Sequence, residues 1–153
     1  YSLALYRIDR FKEAKNALYK AIELIKPERL GWLYCRMGSI YEDSGKFHKA
    51  IEWFDKAHDA NPNEATFLIY KGVKLLRLEK FDEASETFQK ATKCKEGCID
   101  EAYYNLGVTR LIQKNYKEAV SCFEKALEID PKYKEAKQQL KDVKKVLEIL
   151  KNN

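Results

Sequence analysis

One eleven-residue pattern occurs four times in this chain. It reads FKEAKNALYKA from Phe11, FHKAIEWFDKA from Phe47, FDEASETFQKA from Phe81 and YKEAVSCFEKA from Tyr116. After each opening aromatic residue, alanine and larger apolar residues recur at steps of three, four and three, which places them on one face of a helix. The period of 34 to 36 residues is typical of repeat architectures, whose helix pairs bury their apolar faces by stacking.

A second helical pattern precedes each of the last three copies. It contains a glycine nine residues before the aromatic residue, at Gly38, Gly72 and Gly107. Glycine within a helix costs roughly 1 kcal/mol relative to alanine, so we interpret these glycines as points where a partner helix comes close. Pro27, Pro62 and Pro131 follow the pattern and predict helix ends.

The sequence predicts three helix pairs followed by a single helix. The predicted spans are 31–44 and 47–60, 65–79 and 81–93, 100–114 and 116–129, then 133–151. Residues 1–9 are interpreted as the end of a leading helix and residues 11–25 as a second helix, so we expect further repeats before residue 1. In the last helix an apolar stripe is predicted, and Lys141 replaces the glycine, which indicates a helix that caps the array. The stripe consists of Ala136, Leu140, Val143, Leu147 and Leu150.

These residues resemble the tetratricopeptide repeat, whose pattern is W-x2-L-G-x2-Y followed by A-x3-F, A and P over 34 residues. YCRMGSIY from Tyr34 is followed by Ala50, Phe54, Ala57 and Pro62. YYNLGVTR from Tyr103 is followed by Ala119, Phe123, Ala126 and Pro131. The copy between them departs more, with Lys71 at the leucine place and Glu96 at the proline place.

The resemblance implies an all-α fold, a right-handed α-solenoid of tetratricopeptide helix pairs with a C-terminal capping helix. It divides the chain into a truncated first repeat (1–30), three repeats (31–64, 65–99 and 100–133) and the capping helix (134–153). Such arrays bind protein partners in a concave groove lined by the leading helices. The groove residues implied here are Arg36, Ser39, Ile69, Tyr70, Val73, Arg77, Tyr104, Asn105 and Val108.

Two functions are compatible with these patterns. The first is a protein–protein interaction module or scaffold that binds a mainly apolar or aromatic peptide or helix, held at Tyr70 and Tyr104 and oriented by Arg36, Arg77 and Asn105. The second is a structural or oligomerising element of a larger assembly. Leu111 and Ile112 could line the groove or pack under the capping helix. We expect a monomer rather than a homo-oligomer.

Binding of acidic heat-shock chaperone tails is not expected. Family members that bind them use two lysines, two asparagines and an arginine. In one register those places hold Cys35, Ser39, Tyr70, Glu101 and Asn105, and in the next register Ile69, Val73, Asn105, Glu135 and Gln139. Asn105 in the second register is the single match.

No motif for catalysis, phosphate binding or metal binding is recognisable, so the sequence predicts no enzyme, no cofactor, no metal site and no small-molecule substrate. His48 and His58 lie ten residues apart on one helix, about 280° around its axis, and cannot jointly face one metal. CKEGC contains two cysteines, Cys94 and Cys98, which could begin a zinc site, but no second pair has matching spacing. The alternative is that Cys94 packs as a small apolar residue and that Cys98 has no specific role.

Charge is concentrated at the carboxyl end. Of the formal net charge of +5, residues 132–153 contribute seven lysines against three acidic residues. Lys134, Lys137, Lys141 and Lys144 form a stripe that could contact an acidic partner, nucleic acid or a membrane surface. No aromatic residue lies within the stripe, so nucleic-acid binding is not expected from this pattern. We interpret the stripe as the solvated face of the cap.

With 45% hydrophobic and 35% charged residues, the chain can bury a core, and no apolar run is long enough to predict a membrane span. The four cysteines of this large domain do not resemble a disulfide framework, which favours a reducing compartment and a cytoplasmic location.

Overall fold

The computed structural model describes residues 2–25 and 29–152. These residues form eight helices: α1 (Ser2–Leu24), α2 (Leu30–Asp43), α3 (Phe47–Ala60), α4 (Ala65–Arg77), α5 (Phe81–Ala91), α6 (Ile99–Ile112), α7 (Tyr116–Ile129) and α8 (Lys134–Lys151). The all-α class is confirmed, and from α2 onward each helix begins and ends within two residues of its predicted bounds. Helices α3 and α7 end before Pro62 and Pro131, as predicted, whereas Pro27 lies outside the described residues.

The predicted break near residue 10 is wrong, because α1 runs without interruption from Ser2 to Leu24. In the later pairs the turn before the aromatic residue contains a residue with positive φ: Gly45, Glu79 or Lys114. The corresponding place in α1 is Asp9, which lies within the helix. Continuing the existing helix adds one backbone hydrogen bond per residue, so the segment extends α1 instead of turning back.

The chain forms two compact units that divide between Pro62 and Asn63. Unit 1 contains α1 to α3 and unit 2 contains α4 to α8. In unit 1 the interior lies between α2 and α3, where Met37, Ala50, Phe54 and Ala57 are fully buried. The alanine and phenylalanine positions of the repeated pattern therefore form this core.

Unit 2 repeats the same packing in the pairs α4–α5 and α6–α7. The fully buried side chains of α5 and α7 are Ala84, Phe88, Ala91, Ala119, Phe123 and Ala126. A Cβ added to Gly72 would lie 2.5 Å from the ring of Phe88, and one added to Gly107 would lie 2.7 Å from the ring of Phe123. The predicted close approach at the glycines is therefore present, and its partner in each pair is the phenylalanine ring.

The loop between α5 and α6 has Glu96 where the pattern expects proline, and backbone hydrogen bonds hold it. The carbonyl of Asn63 accepts from the amides of Lys95 and Glu96 at 3.2 and 2.9 Å, and the amide of Ala65 donates to the carbonyl of Glu96 at 3.0 Å. Gly97, with φ of 87°, completes the turn in a conformation that favours glycine. The loop is thus tied to the start of α4.

The predicted capping helix is present as α8, which packs against α7. Ala136 and Val143 of its predicted stripe are buried, and Leu140 packs against the cluster around Phe123. Leu150 departs from the prediction, since it is 55% exposed. Helix α7 has 14 residues and α8 has 18, which makes α8 about 6 Å longer than the helix against which it packs.

Candidate binding surfaces

The candidate surface of unit 2 centres on Tyr104 of α6. Its ring centroid lies 5.8 Å from that of Phe123 and 5.0 Å from that of Tyr133. Phe123 belongs to the buried interior of the α6–α7 pair, and Tyr133 immediately precedes α8. Because Tyr104 and Tyr133 are only partly buried, the three rings connect the interior to an aromatic surface.

Carboxylates surround these two tyrosines. Burial, followed by the charge of Glu135, raises the pKa of Tyr104. Burial and then Glu101 raise the pKa of Tyr133, with smaller contributions from Tyr104, Asp100 and Glu135. The pKa of Glu101 is itself raised by burial and then by Asp100. A surface with this charge disfavours anionic ligands.

Asn105 lies beside Tyr104 on α6, and its side chain bonds to its own helix. Its Nδ2 donates to the backbone carbonyl of Glu101 at 3.0 Å, and the hydroxyl of Thr109 donates to the backbone carbonyl of Asn105 at 2.8 Å. The side-chain oxygen is therefore the group that Asn105 offers to a ligand N–H.

The other predicted residues of unit 2 differ in accessibility. On α4, Tyr70 is 40% exposed, Arg77 is also exposed and Val73 is partly buried. Ile69, in contrast, is only 1% exposed, so its side chain is part of the interior and is not accessible to a ligand.

Two residues near the end of α6 pack against the cap. Val108 and Leu111 contact the core cluster that contains Phe123 and Val143, which favours the packing alternative for Leu111. Ile112 is 46% exposed and does not share that environment.

The two predicted residues of unit 1, Arg36 and Ser39, lie at a groove between α1 and α2. The groove has a volume of about 760 Å³. The hydroxyl of Ser39 donates to the carbonyl of Cys35 at 3.3 Å, whereas Arg36 is exposed. The lining residues are Ala14, Ala17, Leu18, Ala21, Leu33, Arg36, Ser39, Ile40 and Asp43.

The cysteines are all free thiols. Burial, followed by the charge of Glu64, raises the pKa of Cys94. Burial also raises the pKa of Cys98, together with Glu101, Asp100 and Glu64. Raised pKa values disfavour the thiolate that metal binding and nucleophilic attack require. Within residues 2–25 and 29–152, His, Cys, Asp and Glu side chains form no group suited to a metal ion.

The lysine stripe of α8 is exposed along its length. The Nζ of Lys144 pairs with Glu124 of α7 at 2.8 Å, which ties one end of the stripe to the neighbouring helix. None of the helices in the described part of the chain combines the length and apolar content needed to cross a bilayer.

Sequence reasoning missed two features of these surfaces. It assigned Tyr133 only to the start of the cap, although an aromatic residue directly after the turn at Pro131 is placed to meet α6. It also treated the alanines of α1 as pairing residues, and in the structure they line an open groove.

Comparison with known proteins gives a consistent family match. The family model for the tetratricopeptide repeat matches residues 31–64 and 100–133. RNA polymerase II-associated protein 3 of Xenopus laevis is 33% identical over 110 residues, which are 72% of this chain and 16% of that protein. Tetratricopeptide repeat protein 13 of Homo sapiens is 36% identical over 100 residues, 65% of this chain and 11% of that protein. The chain thus spans less than a fifth of either relative.

Solved structures show the same fold. The first TPR of Spaghetti (RPAP3) is 26% identical, with a TM-score of 0.69, and the match covers 76% of this chain and 92% of that one. The first TPR domain of human RPAP3 is 25% identical, with a TM-score of 0.72 and coverage of 82% and 98%. These similarities support the fold expected from the sequence, which is a solenoid built of helix pairs.

Proposed function

Because the chain belongs to the tetratricopeptide-repeat family, we propose that it is a protein–protein interaction module. Its partner peptide or helix binds on the tyrosine surface of unit 2, which we define by Tyr104 and Tyr133. The observation that carries this proposal is the pair of ring contacts that Tyr104 makes with Phe123 and Tyr133. These contacts connect aromatic side chains of the core to the surface. Tyrosines offer large contact areas at low entropic cost and are enriched in binding hot spots. A structural relative, the TPR of Spaghetti (RPAP3), is bound to an HSP90 peptide.

The proposed partner segment is mainly apolar or aromatic. It contacts Tyr70 and Tyr104, accepts a hydrogen bond from Arg77 and donates a backbone N–H to Asn105. We also propose that the chain is non-catalytic and monomeric. We further propose a reducing, cytoplasmic location, which the free cysteines support. It treats 31–64, 65–99 and 100–133 as complete repeats.

Affinity capture from a native extract tests this proposal. The test variant combines Tyr70→Ala with Tyr104→Leu, which keeps an apolar side chain against Phe123. The matched control is Tyr103→Leu, because Tyr103 is the adjacent residue on α6 and its ring lies under Lys125 at 5.5 Å. We expect the double variant to lose its partners and the control to retain them. Equal capture by all three proteins would contradict the site.

Chaperone-tail binding is the competing function, since the peptide bound to Spaghetti has the sequence SRMEEVD. We propose that this chain does not bind such tails, because Glu101 and Glu135 stand at places where the clamp needs other side chains, and like charges repel an acidic tail. In calorimetry, SRMEEVD should give no heat of binding at about 100 µM, a concentration at which binding with a micromolar Kd would be detected. A micromolar Kd would overturn the exclusion.

A further inference from the structure

Two neighbouring tyrosines of α6 differ in what lies over their rings. The Nζ of Lys125 lies 5.5 Å from the ring centroid of Tyr103, and in unit 1 two lysines lie 5.7 and 5.8 Å from that of Tyr41. Tyr104 and Tyr133 contact aromatic rings, and among the residues that the structure describes no lysine or arginine makes a cation–π contact with either. In that part of the chain, this pair therefore lacks the cationic partner that the other two tyrosines have.

Three carboxylates lie around the same pair of rings. Asp100 and Glu101, in the first turn of α6, precede Tyr104 by four and three residues and therefore lie on its side of the helix. Glu135 lies in the first turn of α8, directly after Tyr133 and the residue that follows it. Apart from Tyr104 itself, every charged group that shifts the pKa of Tyr133 is one of these three carboxylates. The electrostatic field at the rings is therefore negative.

The helix dipole favours acidic residues in any first turn, but those of α5 and α7 differ from these three. Glu83 of α5 pairs with Lys80 at 2.7 Å, and Glu118 of α7 pairs with Arg110 at 2.9 Å. Within the described parts of the chain, the three carboxylates at the tyrosines form no ion pair. Burial and the adjacent aspartate raise the pKa of Glu101, so desolvation and like-charge repulsion outweigh the helix dipole there.

We propose that the tyrosine surface of unit 2 receives a lysine or arginine side chain of the partner segment, an inference that rests on the function proposed above. The cation lies against the rings of Tyr104 and Tyr133 and pairs with Glu101. Aromatic faces attract a cation most strongly where water is excluded, and an opposite charge relieves the repulsion among the carboxylates. The partner is therefore an apolar segment that contains a basic residue.

Selection from a display library of random peptides tests this inference on the whole chain. Each enriched peptide is tested for binding to the original chain, to Tyr104→Leu and to the control Tyr103→Leu. Leucine keeps an apolar side chain at either place, and the ring of Tyr103 already contacts Lys125. We expect the peptides that lose binding to Tyr104→Leu, but not to the control, to share a lysine or arginine among apolar residues.

A synthetic copy of one such peptide separates charge from shape. Replacing its basic residue with norleucine, which is uncharged, should weaken binding about tenfold or more. The chain variant that combines Glu101→Gln with Glu135→Gln should lose this preference for the basic peptide. It removes like charges from the surface and so preserves the fold. Glu128→Gln, at an exposed position of α7, is the matched control and should keep the preference.

Two results would overturn this inference and leave the proposed function standing. One is a set of peptides that need Tyr104 but contain no basic residue, and the other is equal affinity for the basic peptide and its norleucine version. A selection that yields no peptide dependent on Tyr104 would contradict the proposed function, and this inference with it.

Discussion

At the scale of single residues, two opposing effects meet at Gly107. Alanine there gains roughly 1 kcal/mol of helix propensity, but its Cβ would lie 2.7 Å from the ring of Phe123, and overpacking costs about 1 to 3 kcal/mol. We expect Gly107→Ala to lower the free energy of unfolding in urea. Ser121→Ala, on the exposed face of α7, is the control and should change little. A stabilised Gly107→Ala protein would show that the ring can move away.

Glu101 gives a prediction on pH dependence. Burial and Asp100 raise its pKa in the folded protein, so folding favours the protonated carboxyl group. The stabilisation from protonation is complete below the unfolded pKa and is lost as the pH rises through the folded value. Glu101→Gln should therefore raise the melting temperature at pH 7, and the gain should disappear in acid. Exposed Glu128→Gln is the control, and an acid-independent gain would contradict this cause.

At the scale of helices, the packing of α5 against its neighbours α4 and α6 depends on Ala84. This residue is fully buried, and arginine there would place an unpaired charge between helices, which costs several kcal/mol. We expect Ala84→Arg to unfold at a much lower urea concentration than the original chain. Glu86→Arg, at an exposed position of the same helix, should be nearly neutral. Stability close to the original for Ala84→Arg would contradict the assigned pairing.

The helices were predictable because their signals are local. Alanine and phenylalanine spacing fixes the buried face, and the glycine fixes where the partner crosses, so α2 to α8 follow the predicted spans. The continuous α1 was not predictable from its pattern. The later turns have a residue of positive φ two places before the aromatic residue, whereas Asp9 at that place continues the helix, and side-chain spacing does not distinguish the two. The contact between Tyr104 and Tyr133 depends on where α8 begins relative to α6, and side-chain spacing within one repeat does not contain that information.

At the scale of the whole molecule, the proposed interaction function competes with self-association. Val146, Ile149 and Leu150 expose apolar surface on α8, and exposed apolar patches commonly mark contacts between proteins. We expect sedimentation velocity to show a monomer at all concentrations from about 5 to about 500 µM. This range would reveal self-association with a micromolar Kd. Association that a Leu150→Glu variant abolishes would favour the oligomerising role instead.

A nuclear magnetic resonance titration would locate the binding site on the molecule. A peptide from a captured partner is added to the ¹⁵N-labelled chain, and the amide shifts are mapped on the structure. We predict that the largest changes occur at Tyr70, Tyr104 and Asn105, with Tyr133 beside them. Changes centred on the Lys134 to Lys144 stripe of α8, with the tyrosine surface unaffected, would contradict the claim.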